Sequence, residues 1–136
     1  MEVTPISLKD LLDVVKKARD QHKKYCIFFD KSDNVATFFL YKGLLKEINK
    51  EMMKLESGRV SKAQICEVIR EGLVQSMKYG QLLAISMDEY RPDFLTEFSK
   101  PEGLEKFDTD LIFDREKFLK DENFKSILNE DEDQDL

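Results

Sequence analysis

The fold is decided by two apolar stretches, Tyr25-Cys26-Ile27-Phe28-Phe29 and Leu82-Leu83-Ala84-Ile85-Ser86. The first runs directly into Asp30, and the second is followed by Asp88 and Glu89. Short apolar runs of this kind are typical of strands that are covered on both faces, as in a parallel sheet. Each run follows a helix-patterned stretch. We therefore predict an α/β domain in which a small parallel sheet of two or three strands is packed by helices.

The helices around these strands carry apolar residues at helical spacing. They are predicted over residues 7–24, 34–56 and 61–79. The second helix contains Gly43, which costs about 1 kcal/mol relative to alanine in a helix interior, so a kink or close packing is expected there. The third begins at a Ser61-x-x-Gln64 capping box and ends at Gly80 in the C′ position.

The C-terminal part is predicted to wrap over this core. Leu111–Phe113 is predicted as a third short strand, and Phe94–Phe98 as a short helix. Residues 101–136 hold 13 acidic and 5 basic side chains, whereas residues 1–100 hold 15 acidic and 17 basic ones. The last eight residues, 129–136, are mostly acidic and contain few apolar side chains, a composition that is typical of disorder. The predicted organisation is a single domain over 1–128 and an acidic disordered tail over 129–136.

Composition disfavours several classes of protein. Residues 1–100 are nearly neutral and residues 101–136 are acidic, so the chain lacks the basic face that nucleic-acid binding needs. No apolar run approaches the roughly 18 residues of a membrane-spanning helix, and the first residues lack the basic and apolar regions of a secretion signal. Cys26 and Cys66 are interpreted as reduced core residues. We expect a cytoplasmic protein with a protein partner.

Motifs for catalysis are missing from the sequence. The five glycines are scattered singly, and none opens a helix after a strand as in a phosphate-binding loop. His22 is the only histidine and lies among lysines, so a zinc site or a Cys–His couple is disfavoured. We expect no catalytic residue and no cofactor.

Four acidic residues follow the predicted strands and are the candidate metal ligands: Asp30, Asp33, Asp88 and Glu89. If the two strands are parallel neighbours, these carboxylates gather at one edge of the sheet, where ligands of α/β folds bind. Clustered carboxylates suit Mg²⁺ or Ca²⁺. The other interpretation is an Asx turn or helix cap at Asp30 and Asp33, with solvated side chains at Asp88 and Glu89.

The predicted helix over 34–56 is apolar almost all round at its start. Its candidate partner-binding residues are Phe38, Leu40, Tyr41 and Leu44. A sheet of two or three strands leaves apolar surface that needs covering, and part of this helix is predicted to be an interface. The basic cluster Lys16–Lys24 is either a solvated helix face or a contact for an acidic partner.

The stretch from Phe28 to Phe39 resembles a segment of dynein heavy chains. In dyneins this segment opens the AAA+-like module after the stalk, where a strand ends in an Ile-Asp-Pro-x-Gly-x-Ala pattern and leads into a helix. Tyr79-Gly80 followed by an apolar strand is similar to the dynein helix that ends in Phe-Gly. The resemblance covers about residues 25–89. The pattern also resembles that of accessory proteins with IQ motifs or ankyrin repeats.

The sequence departs from the dynein pattern at Lys31, which replaces the proline, and at Asp33, which replaces the glycine. The resemblance implies a degenerate P-loop-like core that has lost its phosphate loop, with structural roles for Asp30 and Ala36. It also implies a setting in the cilium or cytoskeleton. The function that we predict is a non-catalytic protein-interaction or assembly module. The alternative is a nucleotide- or divalent-metal-binding domain that uses the Asp30/Asp88 edge.

Overall fold

The computed structural model describes residues 3–90 and 93–135. The α-helices are α1 (Leu11–Lys17), α2 (Asn34–Lys42), α3 (Ile48–Glu56), α4 (Lys62–Tyr79), α5 (Thr109–Ile112), α6 (Arg115–Phe118) and α7 (Asp121–Phe124). The strands are β1 (Leu44–Glu47) and β2 (Leu83–Ser86). Ala18–His22 is a π-helix, and Leu8–Asp10, Lys125–Ile127 and Glu130–Asp135 are 3-10 helices.

The two strands form a parallel sheet, which agrees with the predicted small α/β fold. Leu44 lies opposite Leu83, and the register continues to Glu47 opposite Ser86. The second strand was predicted at the position where β2 is found. Helices α2 and α4 both pack against this sheet.

The first predicted strand is wrong, because Tyr25–Phe29 has neither helical nor strand structure. Its place in the sheet is taken by β1, which interrupts the helix that was predicted over 34–56. Gly43 explains the interruption. A Cβ atom at Gly43 would lie 2.8 Å from the Leu82 carbonyl oxygen, so only glycine allows the chain to approach β2 this closely. The next residue, Leu44, donates its N–H to the same oxygen at 2.8 Å.

The other differences arise from local capping and turns. Leu111 lies in α5 instead of a third strand, because the Asp108 side chain accepts a hydrogen bond from the Asp110 N–H and starts a helix. The segment around Phe94–Phe98 is a turn, closed by the Glu97 N–H to the Asp93 carbonyl at 3.0 Å. The helix predicted over 7–24 is divided, and its last turns form the π-helix.

The core is built on α4, whose predicted capping signals are confirmed. The Ser61 hydroxyl accepts a hydrogen bond from the Gln64 N–H, the Gln64 side chain accepts one from the Ser61 N–H, and Gly80 ends the helix with a φ of 65°. Cys66 on this helix is fully buried, and its thiol lies 3.3 Å from the Phe98 carbonyl oxygen. Burial raises the pKa of the Cys66 thiol to about 12, so this cysteine is an unreactive core residue.

The acidic C-terminal segment was expected to be disordered, and the structure does not confirm that expectation. Glu130–Asp135 forms a 3-10 helix. Within it, Glu132 accepts a hydrogen bond of 2.6 Å from Arg70 on α4. The segment is therefore attached to the core helix by an ion pair between residues that are far apart in the chain.

Candidate interaction surface

The exposed large apolar side chains are concentrated in one part of the chain. We call residues 3–42 the N-terminal region and residues 44–132 the body. Thirteen large apolar side chains are exposed among the described residues, and nine of them lie in the N-terminal region. These nine are Val3, Ile6, Leu8, Leu12, Tyr25, Ile27, Phe29, Leu40 and Tyr41. Exposed apolar side chains mark a binding site where they lie together in a patch, so this region is the first place to look for one.

Part of this surface is the segment that was predicted as the first strand. Exposure alternates along it: Tyr25, Ile27 and Phe29 are exposed, whereas Cys26 and Phe28 are half-buried. A period of two is that of an extended chain with one face on the protein. Ile27 is 70% exposed and Phe29 66%, although both were predicted to be core residues.

The predicted partner-binding residues divide into two pairs. Leu40 and Tyr41 on α2 are exposed. Phe38 is half-buried with its ring edge-on to that of Phe39, at a centroid distance of 5.3 Å. Leu44 is half-buried in β1, where it lies opposite Leu83. Of these four residues, Leu40 and Tyr41 are therefore the two whose side chains are exposed enough to contact a partner.

The carboxylate of Asp30 caps the start of α2. Its two oxygens accept hydrogen bonds from the Ser32 hydroxyl at 2.6 Å, from the Ser32 N–H at 2.9 Å and from the Val35 N–H at 2.8 Å. These bonds hold the pKa of Asp30 below its usual value, and the bond from the Ser32 hydroxyl is the largest cause of the lowering. The geometry is that of an Asx turn joined to a helix cap, which was the second of the two interpretations.

The other three acidic candidates lie apart from this cap. Asp33 precedes α2 with a left-handed φ of 61° and makes no capping bond with its side chain. Asp88 and Glu89 lie in a turn after β2, which is closed by the Tyr90 N–H to the Met87 carbonyl at 3.0 Å. Since Asp30 does not follow a strand, the geometric premise of a shared edge with Asp88 is wrong. Among residues 3–90 and 93–135, no three acidic, histidine or cysteine side chains are grouped as metal ligands.

A buried charge cluster, which sequence reasoning missed, joins α4 to the C-terminal segment. Arg70 is only 1% exposed. Its guanidinium donates to both Glu67 and Glu132, and also to the Ile127 carbonyl oxygen at 3.2 Å. Burial raises the pKa of Glu132, but the bonds from Arg70 and from the Asn129 N–H outweigh burial, so the pKa lies below its usual value. All three nitrogens of the guanidinium are engaged, so the cluster is structural.

Comparison with protein-family models, with curated proteins and with solved structures found no match. The dynein-like relation therefore stays a prediction, and one of the two strands on which it rested, Tyr25–Phe29, is not a strand. In the part of the chain that the structure describes, each helix is too short or too polar to cross a bilayer.

Proposed function

We propose that the chain is a non-catalytic protein-interaction or assembly module that binds its partner through Leu40 and Tyr41 on α2. The observation that carries the proposal is the concentration of exposed large apolar side chains in the N-terminal region. The cilium or cytoskeleton is the setting that the dynein resemblance suggests, and it belongs to the proposal.

The pair is presented on a helix that the rest of the fold holds in place. Phe39, next to Leu40, is buried and anchors α2. Gly43 at the end of α2 lies against the start of β2, and the Asp30 carboxylate caps the other end. Tyrosine is one of the residue types that carry most of the energy of an interface, and the exposed Leu40 adds apolar area next to Tyr41 in the chain.

Affinity capture from a ciliated-cell lysate, followed by binding to the purified captured protein, tests this proposal. We expect Leu40→Glu and Tyr41→Glu to weaken saturable binding at least tenfold, because each places a charge in an apolar contact. Met53→Glu on α3 is the matched control, since Met53 is 60% exposed and Leu40 is 59% exposed. Circular dichroism checks that all three variants remain folded.

Equal binding by all three variants would contradict the proposal. A rise in melting temperature with ATP or Mg²⁺ that is lost in Asp30→Asn would instead support the alternative, a nucleotide- or metal-binding domain.

A further inference from the structure

The segment from Lys24 to Asp30 has the properties of an unpaired strand. It begins after Lys23, whose φ of 55° is left-handed, and it ends at the turn that Asp30 caps. Residues 25–29 within it are β-prone and alternate in exposure. Within the described chain, no backbone hydrogen bond is found for residues 25–29. An unpaired row of backbone N–H and C=O groups with apolar side chains is a template for strand pairing.

We infer that this segment pairs with the same segment of a second copy of the chain, antiparallel and centred on Ile27. In that register Ile27 lies opposite Ile27, Tyr25 opposite Phe29 and Lys24 opposite Asp30, the last two pairs occurring twice. The exposed side chains of both copies then share one face, because residues at odd positions oppose residues at odd positions. Cross-strand aromatic and opposite-charge pairs are those that stabilise antiparallel sheets.

Charge complementarity identifies the second copy as the occupant. The segment carries a cation at one end, Lys24, and an anion at the other, Asp30, and both are exposed. An antiparallel copy brings opposite charges together at both ends, whereas a parallel copy would place Lys24 against Lys24. The next residues outward, Lys23 and Lys31, are like charges, but the regular pairing ends before them, because Lys23 has a left-handed backbone and Lys31 lies in a bend. The inference goes beyond the proposed function, since it does not use α2.

A disulfide across the proposed symmetry axis tests the register. Opposite residues of antiparallel strands have Cα atoms about 4.5 or 5.5 Å apart, which is within the range that a disulfide bridges. In a Cys26→Ala background, Ile27→Cys should give a covalent dimer on mild oxidation. Tyr41→Cys in the same background is the control, since Tyr41 is 79% exposed and lies outside the segment. The inference is overturned if Ile27→Cys stays monomeric or if both variants cross-link equally.

A charge exchange tests the same pairing without covalent chemistry. Lys24→Asp alone and Asp30→Lys alone each place like charges opposite each other, so both should sediment at the 16.0 kDa of the single chain. In an equimolar mixture, a chain of one variant pairs with a chain of the other, which restores opposite charges at both ends. The mixture should therefore sediment as a dimer, like the wild type. A wild type that is monomeric throughout a dilution series would overturn the inference, as would a dimer that neither variant affects. Leu40→Glu should leave the dimer intact, so failure here is distinguishable from failure of the proposed function.

Discussion

The N-terminal region and the body of this chain contain similar apolar residues, but the two regions use them differently. In the body, apolar side chains from Ile48 to Ile127 form one buried cluster around α4. Among the described residues of the N-terminal region, Leu11 and Phe39 are the buried apolar ones, while nine large apolar side chains are exposed. An apolar run therefore indicates burial only where other parts of the fold pack against it.

The cause of the difference lies in the long-range contacts. The body is closed by contacts between distant residues, such as Cys66 with Phe98 and Arg70 with Glu132. Helix α1 makes its most frequent contacts with the 3-10 helix before it and the π-helix after it, which are its neighbours along the chain. Within the N-terminal region, α2 packs against the sheet, whereas the exposed apolar side chains before α2 remain available for binding.

The largest difference in unfolding free energy is expected between an isoleucine of the body and an isoleucine of the N-terminal region. Ile69→Ala should lower the free energy of unfolding by about 3 kcal/mol, because it removes a fully buried side chain and leaves a cavity. Ile27→Ala should lower it by less than about 0.5 kcal/mol, because Ile27 is largely exposed. Urea denaturation of both variants, at a concentration where the protein is monomeric, measures the difference. Similar losses would mean that Ile27 is a core residue after all.

Substitution of Gly43, which lies between the N-terminal region and the body, should cause the next largest loss of stability. Gly43→Ala places a Cβ atom against the Leu82 carbonyl oxygen and the Phe39 ring, and should cost about 2 kcal/mol by overpacking. Lys42→Ala, one residue earlier and exposed, is the control and should be nearly neutral. Thermal unfolding of both variants provides the test. A neutral or stabilising Gly43→Ala would show that the helix continues through this position, as was first predicted.

The attachment of the acidic segment to the body should depend on pH. The folded pKa of Glu132 lies below its usual value, so its contribution to stability is complete above the unfolded value of about 4.3 and is lost as the pH falls through the folded value. At neutral pH, Glu132→Gln should cost roughly 1.5 kcal/mol, as for a hydrogen bond to a charged group. The difference from wild type should shrink in acid. The test is to measure the unfolding free energies of wild type and Glu132→Gln between neutral pH and about pH 3. A difference between the two proteins that does not change with pH would contradict the role given to the Glu132 carboxylate.

The smallest effect is expected at the cap of α2, and it distinguishes the two interpretations of Asp30. Asp30→Ala removes the acceptor of three hydrogen bonds and should cost about 1 kcal/mol, as other helix caps do. Asp33→Asn should be nearly neutral, since the Asp33 side chain makes no capping bond and asparagine tolerates its left-handed backbone. Differential scanning fluorimetry with and without Mg²⁺ measures both. A cost that appears only when Mg²⁺ is present would favour a metal site.

Local signals predicted the parts of the fold that depend on near neighbours. Ser61, Gln64 and Gly80 defined the limits of α4, and the apolar run before Ser86 defined β2. The strand β1 could not be predicted, because Leu44-Leu45-Lys46-Glu47 consists of residues that favour helices. It becomes a strand because Gly43 brings it to β2, which is a tertiary effect. The same limitation applies to Tyr25–Phe29, whose β-prone residues indicated a strand but not whether a neighbouring strand exists.

The candidate surface was predictable only in part, because a local sequence pattern does not show which segments pack against it. Leu40 and Tyr41 were identified because a helix that is apolar all round must expose some of its residues. The segment Tyr25–Phe29 was assigned to the core, since burial was inferred from composition alone. The Arg70–Glu132 pair joins residues separated by 62 positions, and no sequence pattern indicated that contact.

Hydrogen exchange followed by mass spectrometry shows whether residues 25–29 are unpaired in the single chain while α4 is protected. In dilute protein, the amides of residues 25–29 should exchange at nearly unprotected rates, while those of α4 from Ile65 to Val74 should exchange far more slowly. Raising the protein concentration should protect residues 25–29 and leave α4 unchanged. Protection of residues 25–29 equal to that of α4 in dilute protein would contradict the account, because it would show that the segment is a paired strand within the single chain.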